Sequence, residues 1–361
     1  MKVAIVHDYL IQMGGAERVV AALHELFPQA PIYTSVFLKN KLSRELQTAD
    51  IRASFMQNLP FMEKEFRMYF LFYPFAFSSF DLSKYDVIIS SSSAYAKGIR
   101  KRKGQVHICY CYTPMRFAWR FNDYIERQEL NPLLARGLSL FVPILKKWDL
   151  GTVKNVDYFI AISRFVSDRI KSIYGRDSVI IYPPVDTSLF KPSHTEKDYF
   201  LIVSRLVSYK RIDLAIKVFN KLGLTLKIAG EGPDLERLRS LAGDNIKFLG
   251  RLNDEEIKRL YSECRALIFS GEEDFGITPL EAAASGSPTI AYGRGGALET
   301  IIDGRTGILF DRQTEESLSM AVMKFKSSGF DKKDLLAQAE KFSKDRFKER
   351  IRGFLNENKI F

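Results

Sequence analysis

Residues 268–286 run IFSGEEDFGITPLEAAASG. An apolar run enters at Ile268 and ends near Ser270. A polar turn follows with Glu272, Glu273, Asp274 and Gly276, and then three helix-start signals coincide. Thr278 suits an N-cap, Pro279 the first helical position, and Glu281 lies three residues after the cap. Ala282, Ala283 and Ala284 continue the helix; Ser285 and Gly286 end it. The spacing predicts strand, turn and helix. Such a turn offers backbone N–H groups and a positive dipole end to a ligand. Glu273 and Glu281 bracket the helix start with seven residues between them.

Working outward, strand-turn-helix units repeat on both sides. Toward the C-terminus, residues 289–291 read as a strand followed by a glycine turn at 293–296, and helices are expected from Val322 onward. Toward the N-terminus, residues 199–203, 224–229, 246–248 and 266–269 read as buried strands. Their following turns hold Arg205, Lys210 and Arg211, then GEGP at 230–233, then Arg251 and Leu252. Residues 184–197 turn polar after Pro183 and Pro184, and the domain boundary is expected there. Before it, strands are expected at 3–6, 32–37, 87–90, 106–112, 156–162 and 179–182. A glycine turn, Gly14 and Gly15, opens the helical pattern at 16–27. The alternation predicts an α/β protein with a parallel sheet in each half.

The 361 residues allow two or three domains. A formal charge of +11 suits anionic partners: nucleotides, phospholipid headgroups or nucleic acid. No zinc finger, RNA-recognition signature or basic zipper supports nucleic acid. Three cysteines give no disulfide framework, which favours a cytoplasmic location, and packing is preferred over metal binding for Cys109 and Cys111. No leader is expected, because only four apolar residues follow Lys2. Residues 68–77 are too short to span a bilayer. Residues 55–80 are dense in aromatics, with Lys64 and Arg67 interleaved: either a helix pair packed on the domain or a surface that meets lipid. Residues 98–103 are strongly basic, as a solvated loop or an attractor of anions.

The polar residues of the second half gather at strand ends, which share one edge of a doubly wound sheet. Arg205 and Lys210 suit a diphosphate, one as a fork and one as a point charge. Glu273 suits sugar hydroxyls. Glu281 suits a ribose diol, or completes a capping box with Thr278; its company favours the ribose. No Asp-x-Asp pair occurs and no metal is called for, since Arg205, Lys210 and the helix start can neutralise a leaving diphosphate.

On these residues the chain resembles the family 4 glycosyltransferases over nearly its whole length. The resemblance rests on Gly14 and Gly15, YTPMR at 112–116, Ser204 and Arg205 with Lys210 and Arg211, GEGP at 230–233, and above all Glu273 with Glu281. It implies the GT-B fold, two Rossmann-like domains with parallel sheets facing across a cleft. Residues 1–185 would form the acceptor domain, 186–341 the donor domain, and 342–361 a helix returning to the first. It implies metal-independent transfer of a hexose from a nucleotide sugar with retention of configuration. Arg205 and Lys210 would clamp the diphosphate and Glu273 would touch the donor sugar, the three forming the catalytic set. Gly14 and Gly15 would give N–H contacts to phosphate or acceptor. Arg251 and Leu252 would border the base. The backbone of Phe275, Gly276, Ile277 and Thr278 would meet sugar and phosphate, and Glu281 the ribose. Relatives commonly carry histidine where this chain has Tyr112, so sugar positioning by Tyr112 stays open.

The opening residues His7, Asp8, Tyr9 and Leu10 with Gly14 and Gly15 look most like mannosyltransferases of O-antigen and exopolysaccharide assembly. That likeness implies GDP-mannose as donor, a polyprenyl-diphosphate-linked saccharide as acceptor, and peripheral contact with an anionic membrane at its inner face. Open alternatives are a UDP-sugar-dependent transferase of the same fold, a sugar-nucleotide epimerase, and a non-enzymatic basic membrane-binding protein.

Overall fold

The computed structural model describes residues 1–121, 125, 131–193 and 198–360, with Lys64 as backbone alone. The end of the polar boundary stretch, residues 194–197, lies outside the described residues, as does the last residue of the stretch 342–361. The described chain divides into two compact units. One holds the described residues up to Pro184 other than Ile125, together with those from Phe347 onward; the other holds Ile125 and Val185–Arg346.

The first unit is built on seven parallel strands. They are β1 (Val3–His7), β2 (Ile32–Thr34), β3 (Ile51–Ala53), β4 (Val87–Ser92), β5 (Val106–Cys111), β6 (Tyr158–Ala161) and β7 (Ser178–Ile180). Their order is β3-β2-β1-β4-β5-β6-β7. β1 and β4 are buried at every position, as strands covered on both faces must be. Residues 347–360 pack here: Phe347 lies 5.8 Å from Tyr110 and Phe354 5.5 Å from Tyr158, ring to ring. The three cysteines are free and buried.

The second unit has six parallel strands: β8 (Phe200–Val203), β9 (Leu226–Ala229), β10 (Ile246–Gly250), β11 (Leu267–Phe269), β12 (Thr289–Tyr292) and β13 (Gly307–Phe310). Their order is β10-β9-β8-β11-β12-β13. Its core joins Phe200, Ile202, Ile228 and Ile268 on the sheet to Ile212, Ile216 and Phe219 of the helix Ile212–Leu222. In each unit the strand order reverses after the first strand, so each has one switch point at the carboxyl ends of its strands.

Two strands were not expected from the sequence. β3 is only three residues long and half-buried at each of them, and β13 begins at a glycine whose added Cβ would lie 2.1 Å from the Thr289 carbonyl oxygen. The aromatic stretch is also not a helix pair. It forms short turns, Phe55–Asn58 and Phe66–Tyr69, and short helices, Met62–Glu65 and Tyr73–Ser78. Pro60 and the left-handed Phe61 (φ 53°) break the run before any long helix can form. The C-terminal helical region is three helices, Glu315–Lys326, Lys332–Glu340 and Lys344–Glu357.

Candidate active site

The switch point of the second unit lies between β8 and β11. Residues 204–211 leave the carboxyl end of β8, and residues 270–276 leave that of β11. Lys210 Nζ forms an ion pair with the Glu273 carboxylate between these loops, with both side chains mostly buried. Ser270 fixes the same junction. Its Oγ lies 3.0 Å from the Lys210 carbonyl and 2.9 Å from that of Arg211, donating to this pair of acceptors. The Ser270 carbonyl in turn accepts from Gln313 Nε2 at 2.8 Å. Arg211 turns left-handed, at φ 53°, to start the helix Ile212–Leu222. A non-glycine residue held there costs on the order of 1 kcal/mol, which the Ser270 contact helps to offset.

Glycines set how closely the neighbouring turns approach. A Cβ on Gly230 (φ 137°) would lie 1.8 Å from the Ser204 carbonyl oxygen. A larger residue would displace the loop that carries Arg205. A Cβ on Gly296 would lie 2.1 Å from the Phe275 carbonyl oxygen, and the Gly296 N–H donates to the Glu273 carbonyl at 2.9 Å. The 293–296 turn therefore braces the backbone at 273–275. Arg205 is exposed after β8; Arg251, exposed, and Leu252, half-buried, follow β10.

The helix after the loop spans Ile277–Ala284 and its N-cap is Gly276, not Thr278. Gly276 takes φ 92°, so the chain turns into the helix two residues earlier than the cap spacing suggests. Thr278 and Pro279 are then the second and third helical residues, and the capping box is not formed. Glycine has no side chain to cap with, which leaves the positive helix end to the turn. Glu281 is buried, and its Oε2 accepts from the Tyr261 hydroxyl at 2.9 Å. The carboxylate is thus oriented by the neighbouring helix Asp254–Glu263.

Gly14, Gly15 and Tyr112 belong to the first unit. Gly14 is the N-cap of the helix Gly15–Leu26, and its N–H donates to Glu17 Oε2 at 2.9 Å. A buried carboxylate thus takes the donor expected for phosphate and places negative charge beside it. The Tyr112 hydroxyl donates to the Ala16 carbonyl at 2.9 Å and lies 2.8 Å from Ser91 Oγ. Burial raises its pKa well above the ordinary value, so it stays a neutral brace between β5 and the first helix. Asp8, fully buried, closes the switch point of this unit, between β1 and β4. Its carboxylate accepts from the N–H groups of Ser93, Ala94, Tyr95 and Ala96, at 2.6 to 3.0 Å, and from Ser93 Oγ at 2.8 Å.

His107 is packed rather than catalytic. Its Nδ1 lies 3.0 Å from the Asn155 carbonyl and its Nε2 2.8 Å from Ser90 Oγ. The carbonyl can only accept, so Nδ1 carries the proton and Nε2 accepts from the serine. Burial lowers its pKa to about 4.

The structure therefore brings Lys210 and Glu273 into contact and sets Arg205, Arg251, Leu252, Glu281 and residues 275–278 on loops and a helix start of one sheet edge. Asp8, Tyr261 and Ser270 escaped sequence reasoning. Each acts through a partner at least 20 residues away. Only the position of Ser270 at the end of an apolar run hints at its place. A cavity of about 630 Å³ lies elsewhere in the second unit, among Asp186, Phe190, Leu336, Glu340 and Lys344. Its Lys344 and Asp186 pair with each other at 3.3 Å.

Comparison with known proteins follows the same division. The family model "Glycosyl transferases group 1" matches residues 186–349, and "Glycosyltransferase Family 4" matches residues 13–189. Among curated relatives, the alpha-1,3/1,6-mannosyltransferase ALG2 of Dictyostelium discoideum is 25% identical over 282 residues, covering 64% of each chain. The GDP-mannose-dependent alpha-(1-6)-phosphatidylinositol monomannoside mannosyltransferase of Mycolicibacterium smegmatis is 28% identical over 200 residues, 46% of this chain and 52% of that one. The matches thus span about half to two thirds of these relatives' lengths. Among solved structures, Anabaena HepE in complex with UDP superposes with a TM-score of 0.72 at 16% identity, covering 99% of this chain and 100% of that one. Sucrose-phosphate synthase from Thermosynechococcus elongatus gives 0.74 at 15%, covering 99% of each. These likenesses show the GT-B fold. With two family models running together from residue 13 to residue 349, and the matching doubly wound sheets beneath them, the chain belongs to glycosyltransferase family 4.

Proposed function

We propose that the chain transfers a hexose from a nucleoside-diphosphate sugar held at the switch point of the second unit. The observation that carries this is the Lys210–Glu273 pair between the two loops that leave β8 and β11. A donor diphosphate at the uncapped start of the helix Ile277–Ala284 would meet Lys210, Arg205 and the helix dipole. As the sugar–phosphate bond breaks, charge accumulates on the diphosphate, where those cations lower the barrier. No metal is then required. Glu273 would bind sugar hydroxyls beside Lys210, and Glu281, oriented by Tyr261, the ribose diol. The acceptor hydroxyl would attack the anomeric carbon from the face that the diphosphate leaves, forming the new C–O bond as the sugar–phosphate bond breaks, and the departing diphosphate would take its proton, with retention of configuration.

The donor we assign is GDP-mannose. The named activities of the relatives support it, as does the resemblance of the first turn. The acceptor we assign is a lipid-linked saccharide in surface polysaccharide synthesis, reached by a protein that is peripheral at the cytoplasmic face of the membrane. Two measurements test this reading. GDP should raise the melting temperature with EDTA present, and GDP-mannose should be slowly hydrolysed without acceptor. A response to UDP and UDP-glucose alone would replace the donor. No response to either nucleotide would remove the donor site from this switch point.

A further inference from the structure

The basic excess of this chain belongs to one unit. Residues 1–124, 131–184 and 347–361 hold 28 of the 54 lysines and arginines and 16 of the 43 acidic residues, more than the whole formal +11; residues 125–130 and 185–346 nearly balance, 26 against 27. The same unit holds the exposed aromatics. Among the described residues, the exposed phenylalanines are Phe55, Phe61, Phe72 and Phe75, all within one stretch, and none lies in the second unit. Phe61 is 80% and Phe75 67% exposed.

This stretch does not stand alone. The Phe70 ring lies 5.3 Å from Phe117 and 5.6 Å from Phe141, which anchors the stretch to the helix Val142–Val153. Beside Phe141, Leu140 is 74% and Ile144 60% exposed. The preceding helix, Pro132–Ser139, adds exposed Leu133 and the cation Arg136, and Lys147 is exposed on the following helix. Tyr9, just after β1, contacts Phe66 at 4.9 Å, so the patch lies at the carboxyl edge of the sheet. Beneath it the fold is firm: Met62, Phe66, Tyr73, Ala76 and Phe77 are buried. The exposed rings are therefore not a failure to pack but the outer side of an ordered segment.

We propose that this face, residues 61–75 with 132–147, docks on an anionic lipid bilayer. Apolar side chains exposed on short, well-anchored segments insert shallowly, and the net positive charge of the unit draws it toward anionic headgroups. No helix among the described residues is long and apolar enough to cross a membrane, so attachment of this kind is interfacial. The proposal deepens the reading of a lipid-carried acceptor, since it names the surface that would bring the protein to its carrier.

The test uses the full chain and no acceptor. Co-sedimentation with phosphatidylglycerol vesicles should be strong, and weak with phosphatidylcholine vesicles or at high salt. Phe72→Ser combined with Phe75→Ser should lower partitioning by more than about tenfold, because each ring contributes buried apolar area. Arg136→Glu with Lys147→Glu should lower it by a smaller factor on anionic vesicles only. Both pairs are exposed, so melting temperature and acceptor-free hydrolysis of GDP-mannose should be unchanged. Absence of vesicle binding, or binding indifferent to the phenylalanine substitutions, overturns the proposal. So does a dimer in sedimentation velocity that the same substitutions dissolve, since the face would then pair with a second copy. Vesicle binding without hydrolysis would instead remove the donor reading and leave this surface standing.

Discussion

The two units share a strand order around their switch points yet fill them in opposite ways. In the first, a carboxylate of the chain itself, Asp8, occupies the N–H groups of residues 93–96. In the second, the equivalent place holds a lysine and a glutamate, beside a helix whose cap is glycine. One crevice is an anion nest already satisfied from within. The other brings a cation, a carboxylate and a helix start together with no side-chain cap. A parallel sheet supplies the crevice, but the residues on its first loops decide whether a ligand is needed to complete it.

The largest effect should come from the second crevice. Lys210→Ala and Glu273→Ala should each lower acceptor-free hydrolysis of the donor by about 10²-fold or more, with the fold retained by circular dichroism. Full activity in either would erase the distinction between the crevices. In the first, Asp8→Asn should cost about 3 kcal/mol in urea unfolding, because an amide presents its own donors to N–H groups that need an acceptor. The substitution should not add a nucleotide site; a second binding equivalent of GDP in calorimetry of the variant, beyond the one expected of the parent, would show the nest to be a masked ligand site.

His107, on β5 of the first unit, gives a pH signature. Its folded pKa is lowered to about 4 from an ordinary 6.5. The unfolded chain therefore takes up a proton before the folded one does. The contribution is fully present above pH 6.5 and is lost as pH falls toward 4, by up to about 3 kcal/mol. Denaturant titrations at pH 7 and pH 5 should show a smaller loss in His107→Gln than in the parent. The smallest effect concerns the helix start beside Lys210 and Glu273. As an N-cap, Thr278 would be worth about 1 kcal/mol; as the second helical residue, Thr278→Ala should change stability by less than about 0.5 kcal/mol. A larger loss in thermal melts would restore the capping role.

Much of the fold was legible because buried parallel strands are short apolar runs ended by turns, as at Val3–His7 and Phe200–Val203. β3 and β13 were not, since each is short and takes its place from a neighbour already in the sheet. Thr278 and Glu281 imitated a capping box because the same residue types serve both uses, and only the left-handed Gly276 separates them. The carboxylate of Glu17 on the Gly14 amide was equally hidden, since a glycine turn suggests an anion without saying whose.

By itself the sequence determined the two α/β series, the basic charge, and Arg205, Lys210, Glu273 and Glu281 as the residues to watch. These follow from local spacing and side-chain chemistry. Only the tertiary structure decided what each of them touches: Lys210 against Glu273, Tyr261 on Glu281, Ser270 beneath the Lys210 loop, and Asp8 in its own nest. Those pairings join residues 20 to 88 positions apart, and it is the order of strands in the sheet that brings them together.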